Sequence, residues 1–427
     1  MGIGPITIFD KSALQSLSMD ESVWLDAFFL VNVVPVFYAE TLADLEKEVA
    51  EGKSPEDLVG MLAAKTPPNA VPNAHHRSLI LAELTGWSVP MDGRVPIAGG
   101  DVMRGPQGAV GVHVDEFDEA VALDRWKNHE FLEIERQLAR RWRADLADHD
   151  RDRTIGVLRN ILPVDASMPD LAALKLAIDA FCASAERQAI RLALDLLGVP
   201  DRPTRDVLAR WEAAGRPTLD AFAPYATHVF KVDLLYYLGV DRGFISGDRP
   251  SNKADMAYLY YLPFCMLFAS GDKLHRRTAP LFLRPDQSFA EATAFKAALK
   301  ELDDYYDRLQ DEVKALGVMA FAHHPPAELD NLVVQLWDRH MRPDWRADAQ
   351  TPQQLLERRR AAKQEGRGAA ALRARVEAAQ PVPEADRHLP DGKPDYMAVR
   401  RRVPVRKGKW RLLPEELEGV EDAGGSP

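Results

Sequence analysis

The strongest constraint on the fold lies in the first fifty residues, where short apolar runs alternate with helical segments and almost nothing separates them. "PITIF" (5–9) reads as a strand and is stopped by Asp10. Ser18, with Glu21 three residues on, forms a capping box that opens a helix through Trp24, Leu25 and Phe28. "LVNVVPVFY" (30–38) is rich in β-branched residues and reads as a second strand. "AETLADLEKEVAEG" (39–52) then reads as a helix ended by Gly52. Strand, helix, strand, helix with tight joints predicts an α/β sheet.

The rest of the chain is less regular. "MDGRVPIAGGDVMRGPQGAVG" (91–111) is dense in Gly and Pro and is expected to be loop. Charged helix is expected over about 116–148, an apolar-periodic helix over about 169–198, and an amphipathic helix over 287–317. "NKADMAYLYYLPFCMLFASGD" (252–272) reads as a helix to about Tyr261, a break at Pro263 and a strand through Cys265–Ala269, with Tyr258, Tyr260 and Tyr261 as core or groove-wall residues.

Charge is spread unevenly. The 427 residues carry a net charge of −11, which argues against broad non-specific binding to nucleic acid. Residues 351–411, however, hold 16 Lys and Arg against 7 Asp and Glu, including "RRR" at 358–360 and 400–402. An acidic body with a basic, partly disordered C-terminal extension is a pattern of tails that bind nucleic acid or a partner. Two distant cysteines, Cys182 and Cys265, leave no disulfide framework and no Cys-based zinc site. With no signal peptide and no span-length apolar run, a cytoplasmic protein is expected, without membrane contact. A homo-oligomer is compatible with this composition.

Four carboxylates stand at matching places. Asp10 ends the first strand, Glu40 starts the helix after the second, Asp255 lies near a helix start, and Asp272 follows a later strand. In a parallel α/β sheet these positions share one edge, where ligands bind. Gathered carboxylates repel one another unless a cation neutralises them, and oxygen donors select Mg²⁺ or Mn²⁺. Asp44 is one turn beyond Glu40 and reads as a secondary carboxylate. Ser270 is a candidate for hydrogen bonding to the metal shell, Lys11 and His275 are candidates for phosphate contacts, and Asn252 falls near the same edge. The pairs His75–His76 and His323–His324 read as surface or loop histidines, because adjacent residues do not face the same way.

"ITIFDKSAL", "VFYAETLADLEKE" and "KADMAYLYYLPFCMLFASGDKLH" together resemble the PIN and PIN-like nucleases. The resemblance covers about 1–50 and 225–320. It implies a Rossmann-like α/β/α parallel sheet, with a discontinuous catalytic core at 1–50 and 225–330. A mainly helical insertion would then occupy 51–224, and the basic extension 331–427. It also implies that Asp10, Glu40, Asp255 and Asp272 hold one or two Mg²⁺ or Mn²⁺ ions, that a metal-activated water hydrolyses a phosphodiester, and that RNA is the substrate rather than DNA. The insertion or tail would contact a protein partner. A non-catalytic, degenerate version acting as a nucleic-acid-binding or assembly module is the alternative. "ITIFDKS" is also similar to the opening of haloacid-dehalogenase phosphatases, with Asp10 as nucleophile, but Ser12 stands where those enzymes carry their acid.

Overall fold

The computed structural model describes residues 4–347, apart from 50–51, 98, 106–107, 148–150, 163–167 and 185, together with 354, 357, 378–383, 396–399 and 402–413. In chain order the strands are β1 (Ile6–Phe9), β2 (Leu30–Val33), β3 (Val71–Pro72), β4 (Asp101–Arg104), β5 (Val110–Val114), β6 (Leu267–Ser270), β7 (Ser288–Glu291), β8 (Gln380–Pro381), β9 (Tyr396–Val399), β10 (Arg406–Lys407) and β11 (Trp410–Arg411).

Five strands form one sheet in the order β3-β2-β1-β6-β7, and every neighbouring pair is parallel. The strands are short and apolar, as expected where both faces are covered by helices. Ile8, Val31, Leu267, Phe268 and Ala269 are wholly buried. The chain runs outward from β1 to β3, then returns to lay β6 on the other side of β1, pairing Thr7 with both Val31 and Leu267. The strand order therefore reverses between β1 and β6. A crevice opens at such a switch point, beyond the strands' C-terminal ends.

Local expectations differ from the structure at several places: the helix expected over 39–52 ends by Glu46, the charged stretch 116–148 is two helices, and Pro263 lies inside a 3-10 helix over Tyr258–Phe264. The second strand stops at Val33, and a helix already runs over Pro35–Leu42. Pro35 occupies its first turn, where a missing N–H costs nothing and the fixed φ suits a helix. Glu40 consequently lies in the last half of that helix rather than at its start. The stretch 91–111 is not all loop: β4 and β5 pair antiparallel across Gly105–Ala109, where Gly108 takes a φ of 82° that favours glycine. The expected 287–317 helix begins only after β7, at Ala292–Asp307. The stretch 169–198 is two helices, Leu171–Cys182 and Arg187–Leu196.

The main core does not respect the boundaries suggested by the resemblance. The Pro224–Asp241 helix is apolar nearly all round and sits at the centre, packed against the Leu171–Cys182, His76–Leu84 and Arg151–Ile161 helices. Ile80, Leu158, Leu174 and Ile190, all from 51–224, share one apolar cluster with Ile8 and Phe268. So do Trp337, Trp410 and Leu412 from the C-terminal region. The β10–β11 hairpin is a lock rather than a free arm. The Trp410 ring meets Trp24 at 4.9 Å, edge to face, and its Nε1 donates to Asp303 Oδ1 at 2.7 Å. Most of the basic stretch 351–401, with its first "RRR", lies outside the described residues.

The central helix is capped from a distance. Glu83, buried at the end of another helix, accepts hydrogen bonds from the Tyr225 and Ala226 N–H groups at 3.1 and 2.8 Å. Glu83→Ala orphans two buried donors and is expected to cost about 2 kcal/mol in urea unfolding. An unchanged midpoint would show that the cap adds nothing. Among the described residues, no helix is long and apolar enough to cross a membrane.

Candidate active site

Asp10 lies at the C-terminal end of β1, the middle strand, and caps the Lys11–Ser16 helix by accepting from Ala13 N–H at 2.7 Å. Its backbone N–H still continues the sheet by donating to Ala269 O at 3.1 Å. The carboxylate is buried and crowded with donors. Ser12 Oγ approaches both oxygens at 2.9 and 2.8 Å, Ser270 Oγ reaches Oδ2 at 2.6 Å, and His275 Nδ1 stands 3.3 Å from Oδ2.

The protonation of His275 follows from its neighbours. Its Nε2 faces the Asp255 backbone carbonyl at 2.7 Å, which accepts only. Its Nδ1 faces Ser270 Oγ at 2.8 Å and the Asp10 carboxylate. Ser270 already directs its single proton at Asp10 and accepts from Asp272 N–H at 3.0 Å. Both ring nitrogens thus face acceptor oxygens, the arrangement that favours the imidazolium. Burial alone would depress the His275 pKa, but the hydrogen bond and charge of Asp10, with the Asp255 carbonyl, carry it up to about 8. Burial works on Asp10 in the opposite sense, raising its pKa. His275, Ser270 and Ala13 N–H outweigh that and hold it below the usual carboxylate range.

Gly271 closes this knot. Its N–H donates to Ser12 Oγ at 3.1 Å, and a Cβ on it would fall 2.9 Å from the same atom. The Ser-Gly-Asp sequence that ends β6 thus places Ser270 under Asp10, leaves room for Ser12, and turns Asp272 to the edge. Asp272 caps the Lys273–Thr278 helix, its Oδ1 accepting from Leu274 N–H at 2.5 Å.

Glu40 and Asp44 share a cation. Lys11 Nζ lies 3.3 Å from Glu40 Oε1 and 3.1 Å from Asp44 Oδ1. Tyr258 donates its hydroxyl to Glu40 Oε2 at 2.7 Å. Arg143 approaches Asp44 at 3.8 Å and donates to Ala43 O at 2.8 Å. Asp44 is therefore an internal ion-pair partner.

Asp255 is the exception. It lies in the first turn of Asn252–Ala257, and no donor reaches its carboxylate among the described residues. Burial, followed by the charges of Glu40, Asp272 and Asp10 and opposed by His275, pushes its pKa up to about 7. The four sequence-derived carboxylates thus lie near enough to act on one another. Lys11 and His275 answer the charge on Glu40, Asp44 and Asp10, whereas Asp255 and Asp272 have no cationic side chain within ion-pairing distance among the described residues.

Among the described residues, no group of three or more His, Cys, Asp or Glu side chains is already arranged to hold a metal ion. Asp10 is the anticipated ligand with least to offer, because protein donors occupy both its oxygens. The donors left with free lone pairs, Asp255 and Asp272 with Glu40 alongside, are all oxygens and fit a hard divalent cation in chemistry. Asp10 is no better placed as a nucleophile, and the Ser12 hydroxyl bonds it directly.

Two participants carried weak sequence signals. Ser12 is visible only as a polar residue in the first turn after Asp10, and Tyr258 sits in an apolar stretch whose default is burial. Asn252 donates to Ser246 O at 2.9 Å and takes no part in the carboxylate group. His76 is half-buried rather than a free surface residue, its Nδ1 lying 3.2 Å from the Tyr261 hydroxyl. The chain matches no protein-family model, no curated protein and no solved structure.

Proposed function

We propose that the chain is a divalent-metal-dependent phosphodiester hydrolase, a nuclease acting on RNA, as its resemblance to PIN-like nucleases suggests. The observation that carries this reading is the burial of Asp255 and its crowding with Glu40, Asp272 and Asp10 beside the switch point of the parallel sheet, which push the Asp255 pKa up to about 7 and which a bound cation would relieve. Asp255 and Asp272 would hold Mg²⁺ or Mn²⁺, with Glu40 at the margin. Such an ion polarises a phosphate and lowers the pKa of water bound to it. Asp10 contributes charge from beneath, held in place by Ser12, Ser270 and His275. Lys11 fixes the Glu40 carboxylate and adds a cation facing a polyanionic substrate.

Cleavage of labelled RNA and single-stranded DNA with Mn²⁺, beside calorimetry of Mn²⁺ binding, tests this. Asp255→Asn and Asp272→Asn are each expected to weaken Mn²⁺ binding and lower the cleavage rate by on the order of 100-fold. Wild-type rates in both variants would sink the assignment. The ion pairs of Lys11 and His275 also favour a second reading, in which built-in cations have replaced the metal and the edge is a non-catalytic RNA-binding or assembly module. RNA binding with no Mn²⁺ heat and no cleavage would select that reading.

A further inference from the structure

A second concave site lies away from the carboxylate edge. The Pro55–Lys65 helix, the segment 66–72, the Asp118–Lys127 helix and residues 402–408 enclose a cavity of about 260 Å³. That is near the lower end of the roughly 300–1,000 Å³ typical of ligand pockets, so its occupant is small. Mainly apolar surface lines it, including Ala63, Pro67, Pro72, Phe117, Leu123 and Pro404.

The charged groups in the wall are not balanced. Glu116 is paired with Arg402 at 3.3 Å, and Asp124 with Lys127 at 2.8 Å. Lys407 and Arg406 also line the cavity, and neither has a carboxylate within ion-pairing distance among the described residues. Lys407 is buried and donates to the Lys65 carbonyl at 2.8 Å, which uses one of its three N–H groups. Of the carboxylates, Asp26 acts on Lys407 only from beyond ion-pairing distance, and a buried ammonium without a directly bonded anion is costly. Tyr38 adds a hydroxyl with no hydrogen-bond partner among the described residues. Burial depresses the Lys407 pKa to about 8 against the raising effect of the Asp26 carboxylate, and an anion bound beside it would raise it again.

We propose that this cavity binds a small, flat apolar carboxylate, with the acid group on Lys407 and Arg406 and the apolar body between the prolines and Phe117. The site is independent of the nuclease reading, since none of its residues belongs to the carboxylate edge. One wall is nevertheless shared, because Tyr38 lies on the helix that carries Glu40.

Calorimetric titration of the full chain with 2-naphthoate, and with the uncharged 2-naphthamide of the same shape, tests the proposal. One equivalent of 2-naphthoate is expected to bind, with the amide about tenfold weaker or worse. Lys407→Met should remove the preference for the acid, and the exposed-site change Arg406→Gln should weaken the acid severalfold while leaving the amide unchanged. Ala63→Leu, which fills the cavity, should abolish binding of both. No binding to the wild-type chain, equal affinity for acid and amide, or undiminished 2-naphthoate binding in Arg406→Gln and Ala63→Leu would each overturn the proposal. Arg406→Gln decides the matter if Lys407→Met does not fold. Asp255→Asn should bind 2-naphthoate like the wild type, which separates this outcome from that of the nuclease experiment.

Discussion

Trp410→Ala will destabilise the protein by about 3–5 kcal/mol, the range for removing a buried tryptophan from a packed core. The residue sits in a two-residue strand near the C-terminal end of the described chain, where fraying would be the ordinary expectation. Its surroundings are those of a core residue instead. The ring is only 3% exposed, meets Trp24 edge to face, and Trp24 in turn stacks on Tyr306 at 4.4 Å. Asp303 gathers Trp410 Nε1, Trp24 Nε1 at 3.2 Å and Lys409 Nζ at 3.0 Å. Alanine would leave a cavity under Trp24 and strip a buried carboxylate of one donor. Trp410→Phe keeps most of the apolar area and should cost about 1–3 kcal/mol, for the lost hydrogen bond. Urea unfolding measures both. A loss below about 1 kcal/mol for the alanine variant would mean that the hairpin merely rests on the surface.

Asp10→Ala is the second large effect. The change leaves an imidazolium with no exposure and no counter-charge, and it also orphans Ser270, Ser12 and the Ala13 N–H. Breaking a buried pair from one side costs about 3–5 kcal/mol. His275→Leu removes the other partner and should cost a similar amount. The double variant should lose clearly less than the two singles together, since neither charge is then stranded. Strict additivity in unfolding free energy would show that the two groups do not share a proton-bearing ion pair, and that His275 is neutral.

What could be read from the sequence was local. The strand before Asp10, the Ser18 capping box, and Asp272 following a strand all announce themselves within a few residues, and all stand as read. The sequence places Glu40 at the start of its helix, whereas the structure has it in the second half. Val33, Val34, Val36 and Phe37 carry strand propensity straight through Pro35, and only proline's fixed φ marks the helix start. The partners that decide the site's electrostatics were out of reach. Lys11 meets Asp44 across 33 residues, and Ser270 meets Asp10 across 260. Neither distance leaves a trace in spacing or periodicity. The same holds for the helices of 51–224, whose amphipathic faces signal burial without naming the surface they bury against.

The position of β1 has a consequence for synthesis. It is the middle strand of its sheet, yet one of its two neighbours is β6, some 260 residues downstream, and the Trp24 cluster closes only with Trp410. At roughly 5–20 residues per second, a ribosome needs on the order of 20–80 s to travel from Trp24 to Trp410. The open flank of β1 stays uncovered on the nascent chain until β6 is made, and the Trp24 face until Trp410 is made. Closure of the sheet and of the Trp24 cluster thus comes late in synthesis, and a holdase that shields apolar strands is expected to raise the yield of this protein.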